Sequence, residues 1–315
     1  MSKIKNFLEF LKEELDSPQQ PVHVRPIEPV QDQALQPQSQ PVQPVQPIQP
    51  QPQVQQSQPT KLDPNKANKK INLTYLDKDA NVDKVKQICE TAKSIENQKY
   101  VYGIVVKPEF VSECKKYLED TDIKTITVIS FPTGDDKNSM KLRQLQKSIS
   151  EGADEICVVL DYTKLNEAVE SDEEKQTKML SGIQTDVRSW VEYCKEKSKK
   201  ISVIIEMEAL GQKISKAVEI CKKANVDFIM TSTGTYNRNS DYTFEKKMKD
   251  VDEIIIPEIQ AMDDINVNVC GGVNSSDRIM KCLSNNKIQR VSTSMTPQEL
   301  FNKSKPQVQA QKNPE

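Results

Sequence analysis

Apolar residues fall in short recurrent runs along this chain, and the runs dominate from residue 71 onward. Eight of them are rich in β-branched residues: 71–76 (INLTYL), 100–106 (YVYGIVV), 124–130 (KTITVIS), 155–161 (EICVVLD), 201–207 (ISVIIEM), 228–233 (FIMTST), 267–271 (VNVCG) and 290–294 (RVSTS). Runs of this length and composition predict buried strands. Between them the period changes to that of a helix, as with Val85, Ile88 and Cys89 within 82–95, and 138–151 and 212–224 behave the same way. Pro108 behind Lys107 reads as a first-turn proline. Ser275 or Ser276 caps 277–284, and Pro297 ahead of Glu299 marks a further helix start. Short strands joined by helices pair in parallel through right-handed crossovers. Eight such units match an α/β fold of the closed (β/α)₈ TIM-barrel type, typically ~250 residues. An open doubly wound sheet is the alternative, although no GxGxxG follows the first strand to favour it.

Ahead of residue 71 the pattern is different. Ile4, Phe7, Leu8, Leu11 and Leu15 lie at helical spacing and predict a short N-terminal amphipathic helix over 1–16. A helix of about 14 residues is marginal alone in water, so it either frays or docks, on itself or in a partner's groove. Residues 17–66 hold 12 of the chain's 18 prolines, 11 of them in 17–60, interleaved with Gln and nearly free of aromatic residues. Such a tail is disordered because it has no apolar surface with which to offset its chain entropy. Extended at ~3.1 Å per residue it reaches on the order of 130 Å and serves as a tether. Prolines spaced three apart (Pro41, Pro44, Pro47, Pro50) also permit SH3- or WW-type docking, without a flanking Arg or Lys to support it. The barrel is expected over 67–304 and a short disordered tail over 305–315.

Charge and composition exclude several function classes. Lys and Arg number 44 against 46 Asp and Glu, for a net charge of −2 with both signs intermixed. No basic block offers the phosphate-neutralising surface of a nucleic-acid binder, and no apolar run approaches the ~20 residues of a membrane span. The N-terminus lacks a signal-peptide core, and its Glu residues argue against a transit peptide. Seven dispersed cysteines without CxxC spacing read as reduced thiols of an intracellular protein, and a cytoplasmic location is expected. Organellar or cytoskeletal association stays open. The single histidine, His23, lies in the tail. The barrel therefore has no histidine base, nucleophile activator or metal ligand, and no metal or cofactor is expected.

In a barrel of this type the chemistry sits at the C-terminal ends of the strands. Gly271-Gly272 leads there into a serine-capped helix, and Ser292 to Ser294 add hydroxyls after strand eight. Together they suit an anion between strands seven and eight, although loop glycines and helix caps would look the same.

These strand ends also carry a family resemblance. LTYLDKDA, VDKVKQICETAK, FPTGDD, GADEICVV, VIIE, DFIMTSTG and CGGV occur in this order across about 71–301. Over that span the chain resembles deoxyribose-phosphate aldolase, a class I aldolase. Gly134, Gly152, Gly234, Gly271 and Gly272 all sit in the shared phrases. The resemblance implies cleavage of 2-deoxyribose 5-phosphate through a Schiff base, the iminium acting as electron sink for carbon–carbon cleavage. It places the imine lysine just before TSTG, where this chain has Met230. It places a second lysine, which lowers the first one's pKa, where this chain has Asn268, and a proton-relay aspartate at Cys157. A thioether forms no imine, a carboxamide carries no charge to tune a neighbour, and Cys157 reads as a buried core residue. No catalytic residue is expected at these degenerate positions. Lys107 and Lys164, after strands two and four, are the amines a relocated chemistry would use; regaining attack geometry is demanding, since ~1 Å errors cost ~100-fold.

The resemblance implies that phosphate handling is better kept, through Thr74, Gly234, Gly271, Gly272 and Ser294. Thr235 stands where the family has a lysine, and Ser292 where it has a glycine that lets the backbone approach. The expected function is an aldolase-like pseudoenzyme that serves as a binding or assembly scaffold, with protein partners engaged through residues 1–60. The alternatives are an active deoxyribose-phosphate aldolase in deoxyribonucleotide catabolism and a non-catalytic phosphosugar sensor with weak affinity. A homo-oligomer is compatible with each.

Overall fold

The computed structural model describes residues 62–236, 242–260, 264–295 and 299–300. The N-terminal helix, the Pro/Gln tether, Pro297 and the 305–315 tail expected above lie outside them.

Strand and helix alternate from β1 (Ile71–Tyr75) through α1 (Val82–Lys93), β2 (Val101–Val106), α2 (Val111–Tyr117), β3 (Lys124–Ile129) and α3 (Asn138–Ser150). Next come β4 (Glu155–Val159), α4 (Tyr162–Glu170), α5 (Glu173–Glu196), β5 (Lys200–Ile204), α6 (Ile214–Ala224) and β6 (Phe228–Met230). The last elements are α7 (Phe244–Asp250), β7 (Asn266–Val269), α8 (Ser276–Cys282) and β8 (Ile288–Thr293). Each strand pairs in parallel with its neighbour and β8 returns to β1, closing an eight-stranded barrel, the TIM-barrel fold read from the sequence. The open-sheet alternative is thereby ruled out.

Local chemistry sets the helix starts. Asn81, Asp161, Asp172, Thr243 and Ser275 each accept a backbone N–H three residues on, satisfying an orphan donor of the first turn. Asn225, in left-handed conformation at φ 57°, ends α6. The helices' apolar faces pack on the outward-facing strand residues, as Ile156, Val158, Ile201 and Val203 show, all fully buried.

The barrel interior is filled in layers. At the N-terminal end Arg290 of β8 lies 3.6 Å over the Tyr102 ring and 4.1 Å from the Phe228 ring, and it pairs with Glu155 of β4. Tyr102 donates its hydroxyl to the same carboxylate. This buried ion pair is tolerable because each charged group has hydrogen-bonded or aromatic partners. Above it, Val105, Ile126, Val128, Cys157, Val159, Ile204, Met230 and Cys270 form a separate apolar cluster inside the barrel. That plug is the floor of the mouth.

Candidate functional site

The three degenerate positions all face this interior. Met230 is 3% exposed and packs in the apolar plug with Cys157, itself 3% exposed. Burial raises the Cys157 thiol well above its ordinary value, so the group stays neutral. Asn268 lies beside Met230 in the β6–β7 ladder. Its Oδ1 accepts from the Ser292 hydroxyl at 3.0 Å, and that hydroxyl also accepts from Asn72 Nδ2 at 3.3 Å. Ser292 thus turns its side chain into a buried Asn–Ser–Asn chain across β7, β8 and β1.

The alternative amines, Lys107 and Lys164, follow the C-terminal ends of β2 and β4. The Lys164 ammonium lies 4.0 Å from Asp186 of α5. Lys107 is half-buried at the end of β2, where its charge acts on Asp79.

The glycines of the anion site come together. Gly234, Gly271 and Gly272 have φ of 80°, 74° and 76°, a region side chains rarely adopt. A Cβ on Gly234 would lie 3.4 Å from the Gly271 Cα, so the two backbones touch. Thr293 supports the same loop, its hydroxyl donating to the Val273 carbonyl at 2.6 Å. Ser294 is exposed one residue further on. Thr74 is part-buried on β1, in register with Val105 of the interior cluster and two residues beyond Asn72, so it shares their inward face. The structure brings the backbones of Gly234 and Gly271 together, with Gly272 next in the chain.

Sequence reasoning missed three residues that organise this rim. The Glu206 carboxylate accepts from the Thr233 backbone N–H at 3.1 Å and from the Thr233 hydroxyl. Glu208 accepts from the Ser232 hydroxyl and pairs with Lys247 of α7. The Lys247 ammonium, 4% exposed, also donates to Ser232 Oγ at 2.9 Å and to the carbonyls of Cys270 and Gly271 at 2.8 Å each. Burial pushes the Glu206 carboxyl up to about 7, with the Glu208 carboxyl adding to the rise and Thr233 opposing it. For Glu208 burial is again the largest influence and raises it, but the Lys247 charge and the bonds from Lys247 and Ser232 together outweigh it, so the carboxyl is lowered. Glu206 sits at φ 52°, strained for a residue with a side chain, and its two bonds to Thr233 help to hold it there. A further buried amine, Lys141 of α3, donates to the carbonyls of Gly134 and Val159 at 2.6 and 3.0 Å, clasping β4 to the loop after β3. Burial lowers it to about 8.

Glycine backbones that meet where β6 and β7 end, over a plugged barrel, point to an aldolase scaffold, and comparison with known proteins decides the family. The family model described as DeoC/LacD family aldolase matches residues 61–292. This chain belongs to that family. The deoxyribose-phosphate aldolase of Treponema denticola is 31% identical over 211 residues, covering 67% of this chain and 87% of that protein. The Ureaplasma parvum deoxyribose-phosphate aldolase is 30% identical over 212 residues, with the same two coverages, 67% and 87%. Among solved structures, the tetrameric deoxyribose phosphate aldolase of Aeropyrum pernix superposes with a TM-score of 0.60 at 20% identity, covering 76% of this chain and 90% of that one. A Coccidioides immitis protein described as a deoxyribose-phosphate aldolase gives a TM-score of 0.60 at 20% identity, covering 75% and 85%. These structural likenesses speak for the fold. Among the described residues no helix of this DeoC/LacD-family barrel is long and apolar enough to cross a membrane, and no group of His, Cys, Asp or Glu is arranged to hold a metal.

Proposed function

We propose that this DeoC/LacD-family barrel is a pseudoenzyme that binds an anionic, phosphate-bearing ligand at its mouth without forming an imine on it. One observation carries the reading: Met230, at the residue before TSTG, is buried in an apolar plug with no amine beside it in the β6–β7 ladder. The imine route needs a free amine at the sugar carbonyl. Lys247, the ammonium on this rim, already serves three oxygens and a carboxylate, so its nitrogen is engaged in holding the rim and not turned to a substrate carbonyl. The glycine cluster supports retained phosphosugar binding, because backbone N–H groups in left-handed conformation suit an anion.

The scaffold role belongs to the same proposal. The barrel serves binding or assembly, as a homo-oligomer or with protein partners taken up through residues 1–60. Pull-down with and without those residues tests this, and partners that all survive the deletion would sink it.

Family membership by itself favours a competing reading, an active deoxyribose-phosphate aldolase. Borohydride reduction in the presence of 2-deoxyribose 5-phosphate separates the two. The pseudoenzyme reading expects no mass adduct on the full chain, and a reduced adduct on any lysine would overturn it. Thermal-shift titration with the same phosphosugar tests binding, since ligand at ~100 times its Kd adds ~2.7 kcal/mol of stability.

A further inference from the structure

Two carboxyl groups and one ammonium meet under the mouth. Glu206 is 1% exposed, and while one of its oxygens takes both Thr233 donors, the other, Oε1, is buried with no donor facing it. The neighbouring carboxyl is Glu208, which adds to the rise that burial imposes on Glu206. Two ionised carboxylates have only acceptors to offer each other, so a buried pair of this kind is best satisfied while one of them carries a proton. Glu208 is engaged by the Lys247 ammonium and the Ser232 hydroxyl, which keep it ionised. The proton therefore belongs to Glu206. With it in place the cluster is neutral overall.

We propose that Glu206, Glu208 and Lys247 form a one-proton clamp that positions the glycine rim, so that anion binding at the mouth is linked to that proton. The proposal rests on the anion-binding reading above and adds its control. Both walls of the rim hang on the clamp. Lys247 holds the β7 side through the carbonyls of Cys270 and Gly271, and Glu206 holds the β6 side through Thr233, the residue before Gly234. Ser232 joins them, bonded to Glu208 and to Lys247. Loss of the proton sets two adjacent carboxylates against one ammonium and opposes an incoming anion directly.

The groups around the pair do not neutralise that charge. Tyr162 of α4 faces Glu206 and stacks edge-on with Tyr236 at 5.8 Å, and Asp135 and Asp161 lie beyond it. Burial raises the Tyr162 phenol, and it pushes the Cys270 thiol of β7 up to about 11, so both stay neutral through the pH range in question.

The full chain with its glutamates isotope-labelled at the carboxyl carbon tests the clamp by NMR. One carboxyl resonance should titrate near neutral pH and be missing in Glu206→Gln. Sulfate, whose charge is constant over the range, is the binding probe. Its affinity should fall about tenfold between about pH 6 and about pH 8.5 in the natural chain and about twofold or less in Glu206→Gln. If Glu206→Gln does not fold, Glu208→Gln serves instead; Lys247 then has Glu206 as its carboxylate, and the titration should move down. Absence of any carboxyl titrating above about pH 6 overturns the shared proton. An intact titration with pH-independent sulfate binding overturns the linkage. An intact titration with no sulfate binding at either pH overturns the anion-binding reading and the linkage with it.

Discussion

Met230 and Asn268 are partners in the β6–β7 ladder, and both side chains are buried inside the barrel, at 3% and 2% exposure. Imine formation needs an amine whose pKa is depressed, by burial or by a neighbouring positive charge. This pair is a thioether in an apolar plug and a carboxamide already bonded to Ser292. Met230 is itself part of the plug. A lysine at Met230 would bring its charge among Val105, Val128, Val159 and Ile204.

Met230→Lys is accordingly expected to cost about 3 kcal/mol of stability, because the new amine must be buried neutral or unpaired. Differential scanning calorimetry should show Tm lower by about 10 °C for a domain of this size. An unchanged Tm would mean that water or an acceptor already reaches this position.

The sequence made the barrel legible because its signal is repetitive and local: β-branched run, helical period, cap. Several of its errors fall at one place. Leu160, Ile205 and Thr231 to Thr233 read as strand continuations, yet β4, β5 and β6 end before them. All but the half-buried Thr233 are buried in the loops of the mouth, so their apolar or β-branched character carries no information about pairing. Met230, Asn268 and Cys157 were found because the phrases around them fix their positions. Lys247 was not, because nothing distinguishes it from Lys246 and Lys249 until α7 settles into a register that buries Phe244, Lys247 and Met248. Glu206 and Glu208 were visible as the end of a strand. Only tertiary contact makes them a pair.

Folding stability should register the Glu206 proton directly. The folded group sits near 7 against 4.5 for the free carboxyl, which corresponds to about 3 kcal/mol. The folded pKa is raised, so this contribution is complete below about 4.5 and is lost as pH rises through about 7. Urea denaturation across that window should give a falling stability for the natural chain. Glu206→Gln should remove most of the fall, and an equally steep fall in the variant would assign it to another group.

Lys247→Met removes the one ammonium that offsets Glu208. The carboxylate, 13% exposed at its side chain, is then buried with the Ser232 hydroxyl as its remaining donor. Breaking a buried pair from one side costs about 3–5 kcal/mol. The loss should be smaller in a Lys247→Met, Glu208→Gln double variant than in Lys247→Met alone, since the stranded charge has gone. Chemical denaturation of the set measures this coupling, and additive losses would show that the two groups act independently.

Gly271 and Gly272 should respond differently to the same substitution. Both have positive φ, so alanine costs of order 1 kcal/mol in backbone strain at either position. At Gly272 nothing lies within 4 Å of the added carbon. At Gly271 it would meet the Lys247 ammonium at 2.8 Å, the Ser232 Cβ at 3.0 Å and the Gly234 Cα at 3.2 Å. Gly271→Ala must therefore displace the ammonium or part the β6 and β7 ends, whereas Gly272→Ala need do neither. We expect Gly271→Ala to lose about 2 kcal/mol more stability than Gly272→Ala. Anion binding should follow the same order, with sulfate affinity lost in the first variant and weakened in the second. Equal losses of affinity would mean that left-handed backbone alone shapes the rim, and that the Lys247 contact with Gly271 does not contribute.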